Sequence, residues 1–485
     1  MRTIPFACTV LFALHFGMSG NAAPANDSAI VLENEFCRIE FDPQTGGLCR
    51  ILNQTLGDDC LKDIAPGGMP FRIFSDLTKE FEIQINDKYQ LVFDNPAETC
   101  KEIIQPSSCQ LLEAQQRGGL VLTYRHENLE IRLKVVLKRE SGVSDWYLRI
   151  TNRGDEEEEF LAAFPYLEGI RLGPDPSKNL ATAMDQAGLV IPAWERPGGV
   201  LGESNQMSMQ WHAIWDPISK SALSMIFMDP DVLPKRIVIH EPVVELNYFP
   251  PFKLAPGKSV DLPPTRISVY EGDWRPAARA YHSWFNSAFA HLDPPEWYRR
   301  SSGSVGRHFK KGGPGIKPDY GGQLALESFR ELPKAHIRCP IDFPEYAFYC
   351  RSSMFYPVHT DGDNVIREDM GGPEAFREGI EGVHRLGLHA QLYVDGYIVY
   401  KESVLGKTGK ADKWAVMNRE GVRFGPYSNE GFIHLCPGCV EWQDHLADTV
   451  YRLLKETGAD GVRIDSLGFY YLPCYNPAHH HETPF

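Results

Sequence analysis

Gly458-Ala459-Asp460-Gly461-Val462-Arg463-Ile464-Asp465-Ser466-Leu467-Gly468 decides how the second half of this chain is read. Upstream, Leu446, Val450, Leu453 and Leu454 recur at helical spacing, and Gly458 stands where a helix C-cap glycine belongs. Beyond that turn, Val462 and Ile464 point to one side of a short strand and Arg463 and Asp465 to the other. A buried parallel strand is ordinarily apolar on both faces, so an arginine and an aspartate sharing one face need a reason. Two are open: charges at the mouth of an active site, or a structural ion pair plugging the interior. Asp465 ends the strand and a Ser-Leu-Gly loop follows, which favours the first.

The alternation continues upstream. Candidate strands at Val305–Phe309, Tyr346–Cys350 and Leu388–Val394 precede Gly461–Asp465. Between the second and third, Pro373 opens a helix through Phe376, Ile380 and Val383 that Gly387 closes. Strands alternating with helices predict a parallel sheet with right-handed crossovers. Residues 301–485 are therefore read as a partial (β/α) TIM-type barrel. A full barrel takes about 250 residues and eight strands. Only about four strands are legible here, and the chain is expected to be a C-terminally shortened form of a longer protein.

The first half has the period of strands. Cys37, Ile39 and Phe41 alternate, Asp42-Pro43-Gln44-Thr45-Gly46-Gly47 turns, and Leu48 to Leu52 returns as the second arm of a hairpin. Leu129, Ile131, Leu133, Val135 and Leu137 alternate with mostly charged residues. Many half-buried strands with turn punctuation predict an antiparallel β-sandwich over residues 26–268. Residues 269–300 read as a helical connector. Asp273 is its candidate N-cap, and Trp274, Ala278, Tyr281, Phe285 and Phe289 form a stripe expected to pack between domains. Residues 1–25 read as a signal peptide: Arg2, then a mostly apolar Ile4–Met18 too short to span a bilayer, then small residues allowing cleavage near Ala23 or Ala25. The expectation is export, to a periplasm or the outside. No other segment reads as transmembrane.

The net charge of −15 argues against nucleic-acid or anionic-membrane partners and leaves neutral ligands such as sugars open. Of eleven cysteines, Cys8 lies in the leader, and the even remainder permits disulfides in an exported protein. Cys436-Pro-Gly-Cys439 is a lone pair without zinc spacing to another, read as a local disulfide or two thiols ahead of a metal site. Asn26-Asp-Ser28 and Asn53-Gln-Thr55 match the glycosylation sequon.

Asp460–Asp465, with the preceding Gly387–Asp395 segment, resembles the glycoside-hydrolase barrels of the retaining α-galactosidase and α-amylase type. The first half is similar to the galactose-mutarotase-like β-supersandwich that often precedes such barrels. The resemblance implies a multidomain protein that hydrolyses O-glycosidic bonds by a two-carboxylate mechanism and takes a carbohydrate substrate. It implies Asp465, at the end of the fourth strand, as the nucleophile. An ionised carboxylate suits an oxocarbenium-like centre, and a guanidinium two residues earlier favours ionisation. The acid/base partner, due about 5–5.5 Å away, comes from a later strand in such barrels. Within the chain, Asp395 is the best further carboxylate, read first as an acceptor for a sugar hydroxyl, then as a structural cap, and last as the acid. Arg463, Tyr393 and Tyr397 complete the candidate substrate contacts; Phe469, Tyr470 and Tyr471 flank a strand exit where stacking aromatics lie.

No cofactor or resident metal is expected. Asp361, Asp363, Glu368 and Asp369 make a calcium site conceivable, but their spacing is not that of an EF-hand and a solvated loop is the plainer reading. His479-His480-His481 cannot easily converge on one ion. Two rival functions remain: a non-catalytic carbohydrate-binding or scaffold protein with an incomplete barrel, and a hydrolase using metal at the histidine tract.

Overall fold

The computed structural model describes residues 29–62, 64, 68–77, 84–85, 91–92, 100–103, 108–115, 118–184, 188–195, 200–203, 207–301, 304–308, 343–347, 364–366, 372–401, 403–418, 420–423, 431–465 and 474–480. The leader, Asn26, Asp361, Asp363, Glu368, Asp369, Phe469, Tyr470, Tyr471 and His481 lie outside them. The chain divides into a first compact unit ending at His291 and a second beginning at Leu292, the second also taking Ile85–Leu91.

Among the described residues, the paired strands of the first unit are antiparallel. Its largest sheet has ten strands, with Val143–Asn152 and Leu129–Leu137 near its middle, and a second sheet of six runs through Val243–Leu254 and Glu158–Leu167. Strand periodicity decides the layering. Ile131 pairs with Ile150 and Leu133 with Leu148, which places these side chains on one face. That face shares a single apolar core with Phe160, Ile237, Leu246 and Tyr248 of the six-stranded sheet. The hairpin read at Phe36–Leu52 is present, as Cys37–Phe41 paired with Leu48–Asn53.

Three expectations change here. The helix is Arg275–Ala288, and its N-cap position is Trp274, which makes no side-chain cap. Asp273 sits one residue too early for that position, although its Oδ1 accepts from Arg275 N at 2.9 Å. The first part of the aromatic stripe packs inside the first unit: Trp274, Ala278 and Tyr281 lie on Trp211, Ala213 and Ile226, while Phe285 and Phe289 set their rings against each other at 4.7 Å. The helix belongs to that unit because the adjacent sheet presents an apolar outer face for it to cover. The sequon asparagine Asn53 is fully buried and donates to Tyr270 O at 3.1 Å, so its side chain is closed to modification.

The second unit carries a four-stranded parallel sheet in the order Ser304–His308, Phe343–Ala347, Gln391–Asp395, Gly461–Asp465. Three strands start elsewhere than read, Ser304–His308 by a single residue. Phe343–Ala347 begins three residues before Tyr346 because its pairing with Ser304–His308 sets it. Gln391–Asp395 begins after Leu388, whose amide still closes the preceding helix onto Val383 O. That helix, Gly372–Arg385, buries Phe376, Ile380 and Val383 as its spacing requires. The second long helix, Val440–Thr457, ends at Gly458 with φ +74°, a left-handed cap. Leu392 and Val394 pack in one core with Phe376, Ile380, Trp442 and Leu453. That leaves the opposite sheet face to Tyr393, Asp395, Arg463 and Asp465. An antiparallel pair, Ile398–Tyr400 with Phe432–His434, follows the third strand. Among the described residues, no helix is long and apolar enough to cross a membrane.

Candidate active site

Parallel pairing puts all strand exits at one end of the sheet. There Asp395 is the register partner of Asp465, and Tyr393 of Arg463. Partners on neighbouring strands stand about 4.8 Å apart, so four polar side chains from two strands meet on one face. The Tyr393 hydroxyl donates to Asp465 Oδ2. Arg463 Nη2 lies 3.5 Å from Asp465 Oδ1, and its guanidinium stacks over the Tyr393 ring at 4.9 Å. Asp465 is thus held from two sides by a neutral and a charged donor while 37% of its side chain stays exposed. Burial and the Asp465 carboxylate push the Tyr393 phenol well above its usual range, so it remains a donor.

Asp395 is different in kind. It is 5% exposed, and its Oδ1 accepts from Tyr397 N at 3.2 Å, with the Ile398 amide also bonded to the carboxyl. Burial pushes its pKa up to about 8, with Asp465 adding to the shift and the two amides opposing it. Asp395 therefore carries a proton at neutral pH beside Asp465, which removes a like-charge repulsion between register partners. The exit turn is fixed from outside as well: Trp442 Nε1 donates to Gly396 O at 3.2 Å, and Gly396 N donates to Asp465 O at 3.0 Å.

Tyr397, also read as a substrate contact, is buried and sets its ring edge-on to His434 at 4.9 Å. Burial pushes His434 down to about 3, so that imidazole is neutral. Sequence reading passed over Trp442 and His434; the only signal for them was the aromatic content of segments that sit far from Asp395 in the chain. Cys436 and Cys439 stand as thiols, one of the two readings made for them. His479 is buried, which a histidine run did not suggest.

At the opposite end of the sheet, Asp460 accepts from Ala390 N and from His384 Nε2, both at 2.8 Å. Trp297 stacks on His389 at 4.2 Å nearby. Charges at that end hold strands together and face no strand exit.

Residues 369–485, roughly a quarter of the chain, match a family model described as a domain of unknown function, DUF6259. Among solved structures, the chain is similar to an α-N-acetylgalactosaminidase from Bifidobacterium bifidum in complex with GalNAc. The TM-score is 0.60 at 12% identity, over 93% of this chain and 72% of that one. The ligand-free form of that enzyme gives 0.59 at 12% identity, over 94% and 73%. A variant of a GH36 α-galactosidase from Geobacillus stearothermophilus with 1-deoxygalactonojirimycin gives 0.50 at 11% identity, over 90% of this chain. The chain spans 65% of the length of that α-galactosidase. At such identities the likeness is one of fold, and the fold is GH36-like. No curated protein matches the sequence.

Proposed function

We propose that the chain belongs to an exported glycoside-hydrolase-like protein, in which Asp465 is the carboxylate that faces the anomeric carbon of a sugar. The observation that carries this reading is the setting of Asp465. It lies at a parallel strand exit, oriented by the Tyr393 hydroxyl, faced by Arg463, and still reached by solvent. In a retaining reaction an Asp465 oxygen bonds the anomeric carbon as the bond to the leaving oxygen breaks; that oxygen takes a proton from an acid, and water then releases the sugar from Asp465. Arg463 and Tyr393 hold the attacking charge in place. Asp395 is engaged by its own turn and serves as a neutral wall of the site, so the acid is assigned to a residue outside the described strands. The parallel order supports a barrel segment. So does the apolar groove of about 680 Å³ beside the last strand, lined by Leu446, Val450, Leu454 and Ile464, where a further helix would sit. Export rests on the Ile4–Met18 run, and N-terminal sequencing of secreted protein tests it: a chain starting at Met1 refutes it.

The full chain, and a longer form of the gene if one exists, should be assayed on aryl α-galactosides and α-N-acetylgalactosaminides, the sugars named in the structural neighbours. Asp465→Asn is expected to lose about 10³-fold or more in turnover, the scale of removing a reacting group, while keeping sugar affinity and melting temperature. A large loss of stability would return the pair to a structural role. The second reading, carbohydrate binding without catalysis, is favoured by the single solvent-reached carboxylate among the described residues of the site. It predicts saturable sugar binding and no turnover in either form.

A further inference from the structure

Three buried side chains from two distant stretches converge in the second unit. The ligand atoms of Cys436, Cys474 and His479 all lie within 4.8 Å of one another. Cys436 follows the Phe432–His434 strand, and Cys439 occupies the N-cap of the Val440–Thr457 helix. Cys474 and His479 come from the last described segment of the chain.

We propose that Cys436, Cys474 and His479 form a site for a soft divalent metal ion, that the ion is zinc, and that Cys439 turns in as fourth ligand when it binds.

The donor set is that of a structural Cys3His centre: Cys-x2-Cys at the start of a helix, completed by Cys-x4-His from elsewhere. Distance agrees. Cys474 Sγ is 3.3 Å from His479 Nδ1. With Zn–S near 2.3 Å and Zn–N near 2.05 Å, a tetrahedral edge between such atoms is about 3.5 Å. Cys439 is buried in the same core as Cys436 and Cys474, but its Sγ is not among the atoms within 4.8 Å of one another, so it has to turn inward to complete the site.

Tautomer agrees too. His479 Nε2 lies 2.8 Å from Lys413 O and 3.0 Å from Asn476 Nδ2; the two amide hydrogens of Asn476 are directed at Lys413 O and Ala415 O, which leaves Nε2 to donate to the Lys413 carbonyl and carry the proton. Nδ1 therefore turns a lone pair toward Cys474 Sγ. A backbone carbonyl fixing the far nitrogen is what a ligating histidine requires. Asn476 Nδ2 donates to Lys413 O and Ala415 O at 3.2 and 3.0 Å, which holds that carbonyl and the Cys474–His479 turn in place. Amides point at the sulfurs: Gly438 N–H at Cys436, and Glu441 and Trp442 N–H at Cys439. On binding, each thiol gives its proton to solvent and its lone pair to the metal, with no change of oxidation state. The ion would fasten residues 474–480 to the start of the long helix.

The test uses the full chain purified without chelator. Elemental analysis should give about one zinc per chain, and Cys474→Ser and His479→Ala should each reduce this to under about a tenth. A strong chelator should lower the melting temperature of the unsubstituted protein. Because either variant could fail to fold, the unsubstituted protein is also reconstituted with Co²⁺. Intense visible bands of tetrahedral cobalt with thiolate charge transfer are expected, losing one thiolate's intensity in Cys439→Ser. His480→Ala, at the exposed neighbour, should change nothing. The proposal is overturned if the folded protein takes up no zinc or cobalt, if mass spectrometry finds a disulfide between Cys436 and Cys439 or Cys474, or if His480→Ala removes the metal.

Discussion

Asp395 and Asp465 are the same residue type at the same depth in neighbouring strands, yet the chain gives them different chemistry. The difference lies in what each carboxyl meets: buried amides of its own turn for Asp395, and a hydroxyl, a guanidinium and solvent for Asp465. This has a pH consequence. Folded Asp395 keeps its proton to about pH 8, whereas an unfolded aspartate loses it near pH 3.9. Between those values the folded state binds more protons. Stability from this group is full below about pH 4 and is lost as pH rises through about 8. Asp395→Asn cannot ionise but still presents an oxygen to the Tyr397 amide. Its melting temperature should therefore gain on that of the unsubstituted protein between pH 5 and pH 8.5. Parallel curves would mean that Asp395 is ionised throughout.

At the scale of elements, the Val440–Thr457 helix and the Gly461–Asp465 strand are joined by a cap that sets the strand's direction. Gly458 adopts φ +74°, and a Cβ built there meets nothing within 4 Å. The cost of a side chain is thus backbone strain alone. Gly458→Ala should destabilise by about 1–2 kcal/mol, and Gly458→Asn by less, read from the urea midpoint at unchanged slope. Much of this element was legible. Gly458, the helical spacing of Leu446 and Leu453, and the alternation of Val462–Asp465 gave the helix, cap and strand at the positions observed. The limits of Gln391–Asp395 were not legible, because Leu388 fits a strand's period while its amide serves the preceding helix.

At the scale of the molecule, each unit has its own apolar core, one around Ile131 and Leu148, the other around Leu392 and Trp442. Two cores predict two calorimetric transitions. Leu392→Ala should remove about 2–5 kcal/mol from one transition and leave the other in place. A single transition shifted as a whole would show that the two cores unfold together.

Local pattern determined what depends on neighbours in sequence. The strand period of the first half, the helix–strand alternation of the second, and the shared face of Arg463 and Asp465 all follow from side-chain direction within one element. Tertiary structure alone decided what depends on register and burial. Tyr393 finds Asp465 72 positions away because two strands pair in one register and no other. Asp395 keeps a proton because its exit turn is buried. His479, in a run of histidines that sequence treats alike, is enclosed beside Cys474 while His480 stays outside. Composition fixes which groups can ionise or ligate; only the packed chain fixes which ones water still reaches.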